Sequence, residues 1–217
     1  SGLMSVNGEK GGAPLRVGVP IVDMVTGLNS VIGILLALQE RAKSGRGQMV
    51  KVSLFDTGLS LLHPHSHNFL ASGDLPERLG SAHPNVAPYD TFETKTGPIF
   101  LAVGSNGQFE KLCECLDRPE LARDPRFATN PDRNKNREAL TKELQPLLAA
   151  QDVNFLAETL MRQGVPCGPV LDVGQTLTHP QARYHGRVWQ DGQYRGIAPP
   201  VKLARTPASY RKPPPEL

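Results

Sequence analysis

Apolar residues in the first third of the chain follow two different periods. The run Val17-Gly18-Val19-Pro20-Ile21-Val22 reads as a strand leading into Asp23, and a helical pattern covers residues 25–43. Within that helix Leu28, Val31, Ile32, Leu35, Leu36 and Leu38 occupy more than one face, so it is expected to be largely buried, with Gly27 and Gly33 leaving room for close neighbours. Ser44-Gly45-Arg46-Gly47 ends it. Alternation in Met49-Val50-Lys51-Val52-Ser53-Leu54 predicts a second strand, and Asp56 is placed to cap a second helix carrying Leu59, Leu61, Leu62 and Phe69. Strand, helix, strand, helix is the order of α/β packing. Residues 1–14 contain Gly8, Gly11, Gly12 and Pro14, show neither period, and read as a loop.

After Ser72-Gly73-Asp74 the pattern changes. Residues 80–88 have no period and two prolines, which predicts a shaped loop. Residues 89–94 and 99–103, joined across Lys95-Thr96-Gly97-Pro98, predict an antiparallel hairpin. Three helices are expected next, over 106–116, 136–148 and 153–162. The stretch 164–170 is too rich in Gly and Pro for an element interior; a short helix over 172–177 follows. Val188-Trp189, a turn at Asp191-Gly192 and Gln193-Tyr194-Arg195 suggest a last hairpin before a Pro-rich end. The organisation read from this is a large α/β part over 1–74, a smaller inserted α+β unit over 75–178, and a return segment over 179–217.

Composition narrows the class. A chain of 217 residues with 39% hydrophobic content can bury a substantial core. The pattern shows no uninterrupted apolar run near the roughly 20 residues of a bilayer span and no opening leader, so a cytoplasmic protein without a membrane partner is expected. The net charge of +3 is dispersed, which gives nucleic acid little to bind. Arg41, Lys43, Arg46 and Lys51 cluster after the first long helix; they read as a solvated helix end or as a contact to an anionic ligand such as a nucleotide phosphate. Cys113, Cys115 and Cys167 fit neither a disulfide framework nor the usual zinc spacing and are expected to be reduced thiols. His63, His65 and His67 lack a common helical direction and a carboxylate pattern, so no metal is expected there. Asp23, at a strand-to-helix junction, is either a helix cap or an anion held in a rigid place.

The motifs taken in order resemble one family, the class III CoA-transferases, which includes formyl-CoA, carnitine and dicarboxylate CoA-transferases and the related α-methylacyl-CoA racemases. The resemblance rests on Ser1-Gly2-Leu3-Met4-Ser5, Val17-Gly18-Val19 leading to Asp23, Ile32-Gly33-Ile34-Leu35-Leu36-Ala37-Leu38 and Ser44-Gly45-Arg46-Gly47-Gln48. It continues through Asp56, residues 80–89, Ala102-Val103-Gly104 with Gln108-Phe109, Asp124-Pro125-Arg126-Phe127, residues 164–170, and Thr206-Pro207 with Pro213-Pro214. It is nearest to transferases of dicarboxylates such as succinate or glutarate. Family members are larger, so the resemblance implies a chain lacking a front portion that carries much of a Rossmann-like nucleotide-binding half. It also implies an interlocked ring-like homodimer with sites assembled from both chains.

By the same resemblance Asp23 is the covalent nucleophile. It attacks an acyl-CoA to give a mixed anhydride, CoA thiolate returns to give an aspartyl-CoA thioester, and an acceptor acid takes over the CoA. Coenzyme A is then a substrate, and no tightly bound cofactor or metal is implied. Residues 80–88 correspond to a glycine-rich loop in formyl-CoA transferase, but here Ala82, His83, Pro84 and Asn85 stand in place of successive glycines. A stiffer loop is expected, with His83, Pro84 and Asn85 as substrate-binding residues, or with His83 only fixing the loop. Asp56 resembles a scaffold cap. The alternatives are racemisation, for which the family's Glu is missing at Ser105-Asn106, and a scaffold fragment without catalysis.

Overall fold

The computed structural model describes residues 1–192, 194–209 and 215. The chain divides into two compact units, Ser1–Gly168 and Pro169–Leu217. In the first unit a short α1 (Leu3–Val6) precedes the long α2 (Ile21–Ser44), and two short helices follow, α3 (Leu54–Ser60) and α4 (His65–Ser72).

Several expectations for this part are corrected. Residues 17–20 form a loop, α2 begins at Ile21, and its N-cap is Pro20, with no side-chain cap. Asp23 is therefore the third residue of the helix and not its cap. Residues 49–53 are not a strand: they join no backbone ladder of the kind strand pairing needs. The mixed helix and sheet expected of an α/β protein is present, but the strands expected before residue 75 are not, among the described residues. Ser53 caps α3 in place of Asp56: its Oγ accepts the Asp56 N–H at 3.0 Å and donates to Asp56 Oδ2 at 2.6 Å. The single helix expected after it is two, separated by a turn that contains a cis His63–Pro64 bond.

The expectation that α2 is largely buried is also overturned. None of its residues is buried, and Leu28, Ile32, Leu35 and Leu36 are each more than half exposed. An 18-residue window of α2 has a mean hydropathy of 2.0, so by length and composition alone it could cross a membrane. The interrupted apolar pattern had not predicted this. Gly33 does meet a neighbour, since a Cβ there would lie 2.7 Å from Val50 Cγ1, whereas Gly27 faces open space.

Among the described residues the buried hydrophobic core runs from Ala87 to Val165. Strands β1 (Tyr89–Thr94) and β2 (Gly97–Ala102) pair antiparallel, from Tyr89↔Ala102 to Thr94↔Gly97, around a turn at Lys95-Thr96. Alternation puts Phe92, Ile99 and Leu101 inside. Helices α5 (Asn106–Cys115), α7 (Arg137–Ala149) and α8 (Val153–Arg162), close to their predicted spans, bury Phe109 and Leu112, then Leu140, Leu144 and Leu148, then Leu156 and Leu160. The spacing of three or four residues gives each helix one apolar stripe. Two of the three starts have a side-chain cap: Ser105 and Gln108 form a capping box on α5, and Asp152 accepts the N–H groups of Asn154 and Phe155 on α8. A 3₁₀ turn (Pro119–Arg123) and α6 (Asn130–Lys135) were not anticipated. Nor was β3 (Cys167–Pro169), which adds to β2 inside a stretch read as too rich in Gly and Pro for an element.

In the second unit Asp172 and Gln175 form a capping box on α9 (Val173–Thr178), which α10 (Pro180–Tyr184) follows. The last hairpin is β4 (Val188–Asp191) against β5 (Tyr194–Ile197), with Trp189 edge-on to Tyr194. Gln193 and the Pro213-Pro214 pair lie outside the described residues.

Candidate active site

Asp23 lies in the first turn of α2, where the Ile21 N–H is taken by Val19 O at 2.8 Å and an acidic side chain complements the helix dipole. Its side chain is exposed on the wall of a cleft of about 380 Å³. The cleft is bounded by Ser1–Met4 on one side and by Arg16, Val17 and 19–23 on the other. Most of this lining is apolar, with Arg16 and Asp23 as its charged members. Arg16 is a residue that sequence reasoning missed, because it sits in a loop with no periodic signal.

The Ser1–Met4 wall is fixed from two directions. Gly58 in α3 lies so close that a Cβ there would be 2.4 Å from Ser1 Cβ, which only glycine permits. Arg78 reaches across and donates from Nε and Nη2 to Gly12 O, at 3.0 and 2.6 Å, and from Nη1 to Ser5 O at 3.3 Å. A side chain distant in sequence thus holds the opening loop in shape.

His83, Pro84 and Asn85 do not line the Asp23 cleft. They form part of a loop packed beside α4 and α6. His83 Nδ1 accepts the Asn85 N–H at 3.1 Å, which places the hydrogen of the neutral ring on Nε2. Burial pushes the His83 pKa below the ordinary histidine value, and the Arg137 guanidinium, His65 and His63 push the same way. The neutral ring is therefore favoured. The Asn85 and Asn68 amides bond reciprocally, at 2.8 and 3.0 Å, which leaves Asn85 one N–H and one lone pair for other partners.

The loop leans on a buried cation. Arg133 is 0% exposed, donates to Ala87 O (2.7 Å), Phe127 O (3.0 Å) and Asn106 Oδ1 (3.0 Å), and stacks over Phe109 at 4.5 Å. Its partners are neutral oxygens and a ring face, and burial depresses its basicity. The cysteines are free, and burial pushes Cys113 up to about 12 and Cys167 up to about 11, so neither is a ready nucleophile. His63 packs edge-on to His67 at 4.9 Å. Among the described residues no three His, Cys, Asp or Glu side chains are grouped to hold a metal ion.

The family model of CoA-transferase family III matches residues 1–217. A succinate–glutarate CoA-transferase from Agrobacterium fabrum is 36% identical over 226 residues, which cover 100% of this chain and 56% of that protein. The succinyl-CoA:glutarate CoA-transferase of Homo sapiens is 31% identical over 222 residues, covering 100% and 51%. Among solved structures, a CaiB/BaiF family protein from Brucella suis matches with a TM-score of 0.75 at 39% identity, covering 95% of this chain and 55% of that one. A protein from Mycobacterium tuberculosis, at 24% identity, has a TM-score of 0.83 over 99% of this chain and 56% of that one and so shares the fold. The chain spans about half the length of the curated relatives it matches. With its whole length matched by the family model and by relatives above 30% identity, the chain belongs to CoA-transferase family III.

Proposed function

We propose that the protein transfers coenzyme A from an acyl-CoA thioester to a free carboxylic acid through a covalent intermediate on Asp23. The observation that carries this reading is the exposed Asp23 carboxylate on the wall of a mostly apolar cleft, at a helix start. A carboxylate is a weak nucleophile in water, but held against a thioester it gains effective molarity and loses competing hydrolysis.

In the first step Asp23 attacks the acyl carbonyl, the C–S bond breaks, and CoA leaves as the thiolate. The thiolate then attacks the aspartyl carbonyl of the mixed anhydride, forms the aspartyl-CoA thioester, and releases the first acid as its carboxylate. The acceptor carboxylate attacks this thioester and frees CoA thiolate again. Attack of the thiolate on the acceptor's carbonyl gives the new acyl-CoA and restores Asp23. First-turn N–H groups of α2 are suited to the oxyanion that develops at each step. Every step exchanges one acyl bond for another, so nothing is oxidised and coenzyme A is only a substrate.

The names of the relatives favour a dicarboxylate acceptor such as glutarate. Recognition of that acceptor is assigned to His83, Pro84 and Asn85. The proposal includes an interlocked homodimer with a Rossmann-like large domain; sites assembled from two chains would give the 83–85 loop, which is outside the Asp23 cleft, a route into catalysis. It also keeps the domain reading of 1–74, 75–178 and 179–217, and a cytoplasmic setting without nucleic-acid or membrane partners. Incubation of the intact polypeptide with succinyl-CoA and hydroxylamine tests the chemistry: a hydroxamate on Asp23 is expected, and an unmodified Asp23 with α-hydrogen exchange in a branched acyl-CoA would favour the racemase reading instead.

A further inference from the structure

Carbonyls in a loop without regular structure must find partners elsewhere when they are withdrawn from water. In residues 83–87 five consecutive carbonyls all receive side-chain donors from a single stretch of chain. Arg137 Nη2 donates to His83 O at 2.6 Å and to Val86 O at 3.2 Å. Asn134 Nδ2 donates to Pro84 O at 3.1 Å, and Asn130 Nδ2 to Asn85 O at 2.9 Å. Arg133 Nε donates to Ala87 O, and Asn130 Oδ1 accepts the Ala87 N–H at 3.2 Å. The four donors are spaced i, i+3, i+4 and i+7 over α6 and the first residue of α7, the spacing that places side chains on one helical face.

This donor face is itself anchored. Arg133 joins it to Phe127, Asn106 and Phe109, all outside the loop, and Arg137 also donates to Asn134 within the face. On the far side of the loop the Asn85 amide is paired with Asn68 of α4, and the His83 ring is turned by the Asn85 N–H. A loop held from both sides has its hydrogen-bonding groups oriented before any ligand arrives, which reduces the ordering cost of binding.

We infer that Asn130, Arg133, Asn134 and Arg137 are positioning residues that make the 83–87 loop a preformed platform for the acceptor carboxylate. The inference rests on the proposed role of His83 and Asn85 in acceptor recognition. It adds that this role depends on side chains which touch no substrate. It also explains how a loop without successive glycines can serve: the platform is built rigid and does not depend on closure.

The test uses the intact polypeptide and separates the two half-reactions. Asn134→Ala removes the donor to Pro84 O at a partly exposed position. The expected result is a rise in KM for the dicarboxylate of roughly tenfold, the worth of one lost hydrogen bond, while succinyl-CoA-dependent trapping of Asp23 proceeds at the wild-type rate. Arg137→Lys, which keeps a cation but loses the Nη2 donor shared by the His83 and Val86 carbonyls, should do the same. An unchanged acceptor KM in both folded variants overturns the inference, as does an equal loss in both half-reactions or a failure of both variants to fold, since each would mark a purely structural role. Failure of the wild type to trap at Asp23 would instead overturn the proposed chemistry.

Discussion

The stretch from Ile21 to Ser72 and the stretch from Ala87 to Val165 are both rich in apolar residues, but they use them differently. The second buries Phe92, Ile99, Leu112, Leu144 and Leu160 in one continuous core. The first leaves Leu28, Leu35, Leu36 and Phe55 more than half exposed and buries only Thr57 and Gly58. Folding free energy of this chain therefore resides in the second stretch, whereas the candidate nucleophile sits in the first. The lesson is that an apolar helical pattern states that a face needs cover; it does not say what supplies it.

Asp23→Ala should separate activity from stability most widely. Transfer should fall by at least about 10⁴-fold, as expected when a nucleophile is removed, and the urea midpoint should stay close to wild type because Asp23 makes no cap. A core substitution should do the reverse. Leu144→Ala should cost about 2–5 kcal/mol in urea unfolding, whereas Leu35→Ala in exposed α2 should stay within about 0.5 kcal/mol. A cost above that for Leu35 would show that its face is covered in solution.

Intermediate effects come from polar anchors of the packed region. Arg133→Met strands the Ala87 and Phe127 carbonyls and should cost about 3 kcal/mol, measured by the same unfolding transitions. Ser105→Ala removes the capping-box hydroxyl and should cost about 1 kcal/mol.

Part of this contrast was legible in the sequence. The β1–β2 hairpin and helices α5, α7 and α8 were readable because turn residues and single apolar stripes agree with the packing found. Strands over 17–22 and 49–54 were not, since alternation describes side chains and a strand also needs a neighbouring backbone. The placement of Asp23 at the start of a helix was legible from the apolar pattern behind it, but the cap alternative was not correct, since Pro20 is the N-cap and Asp23 lies three residues further on. Arg16 gave no signal, and the anchoring of the opening loop was hidden, because Arg78, which holds that loop, is far away in sequence. The donor face was equally hidden: Asn130, Arg133, Asn134 and Arg137 look like ordinary polar residues, most of them in a helix the sequence did not announce, until the carbonyls they meet are known.

The smallest effect expected is on pH dependence. The folded protein holds His83 and His65 below the ordinary histidine pKa, mainly by burial, so it favours their neutral forms. Their contribution to stability is complete above about pH 6.5 and is lost as pH falls from there through the depressed values. Unfolding midpoints should decline over that window, and His83→Gln should flatten part of the slope. An unchanged slope would mean that His83 is not held neutral by its surroundings.

The decisive experiment is peptide mapping of the intact polypeptide after succinyl-CoA and hydroxylamine. A hydroxamate confined to Asp23, absent without the thioester and absent in Asp23→Ala, is the predicted result; an enzyme that exchanges CoA between acids while Asp23 remains unmodified would contradict the covalent account.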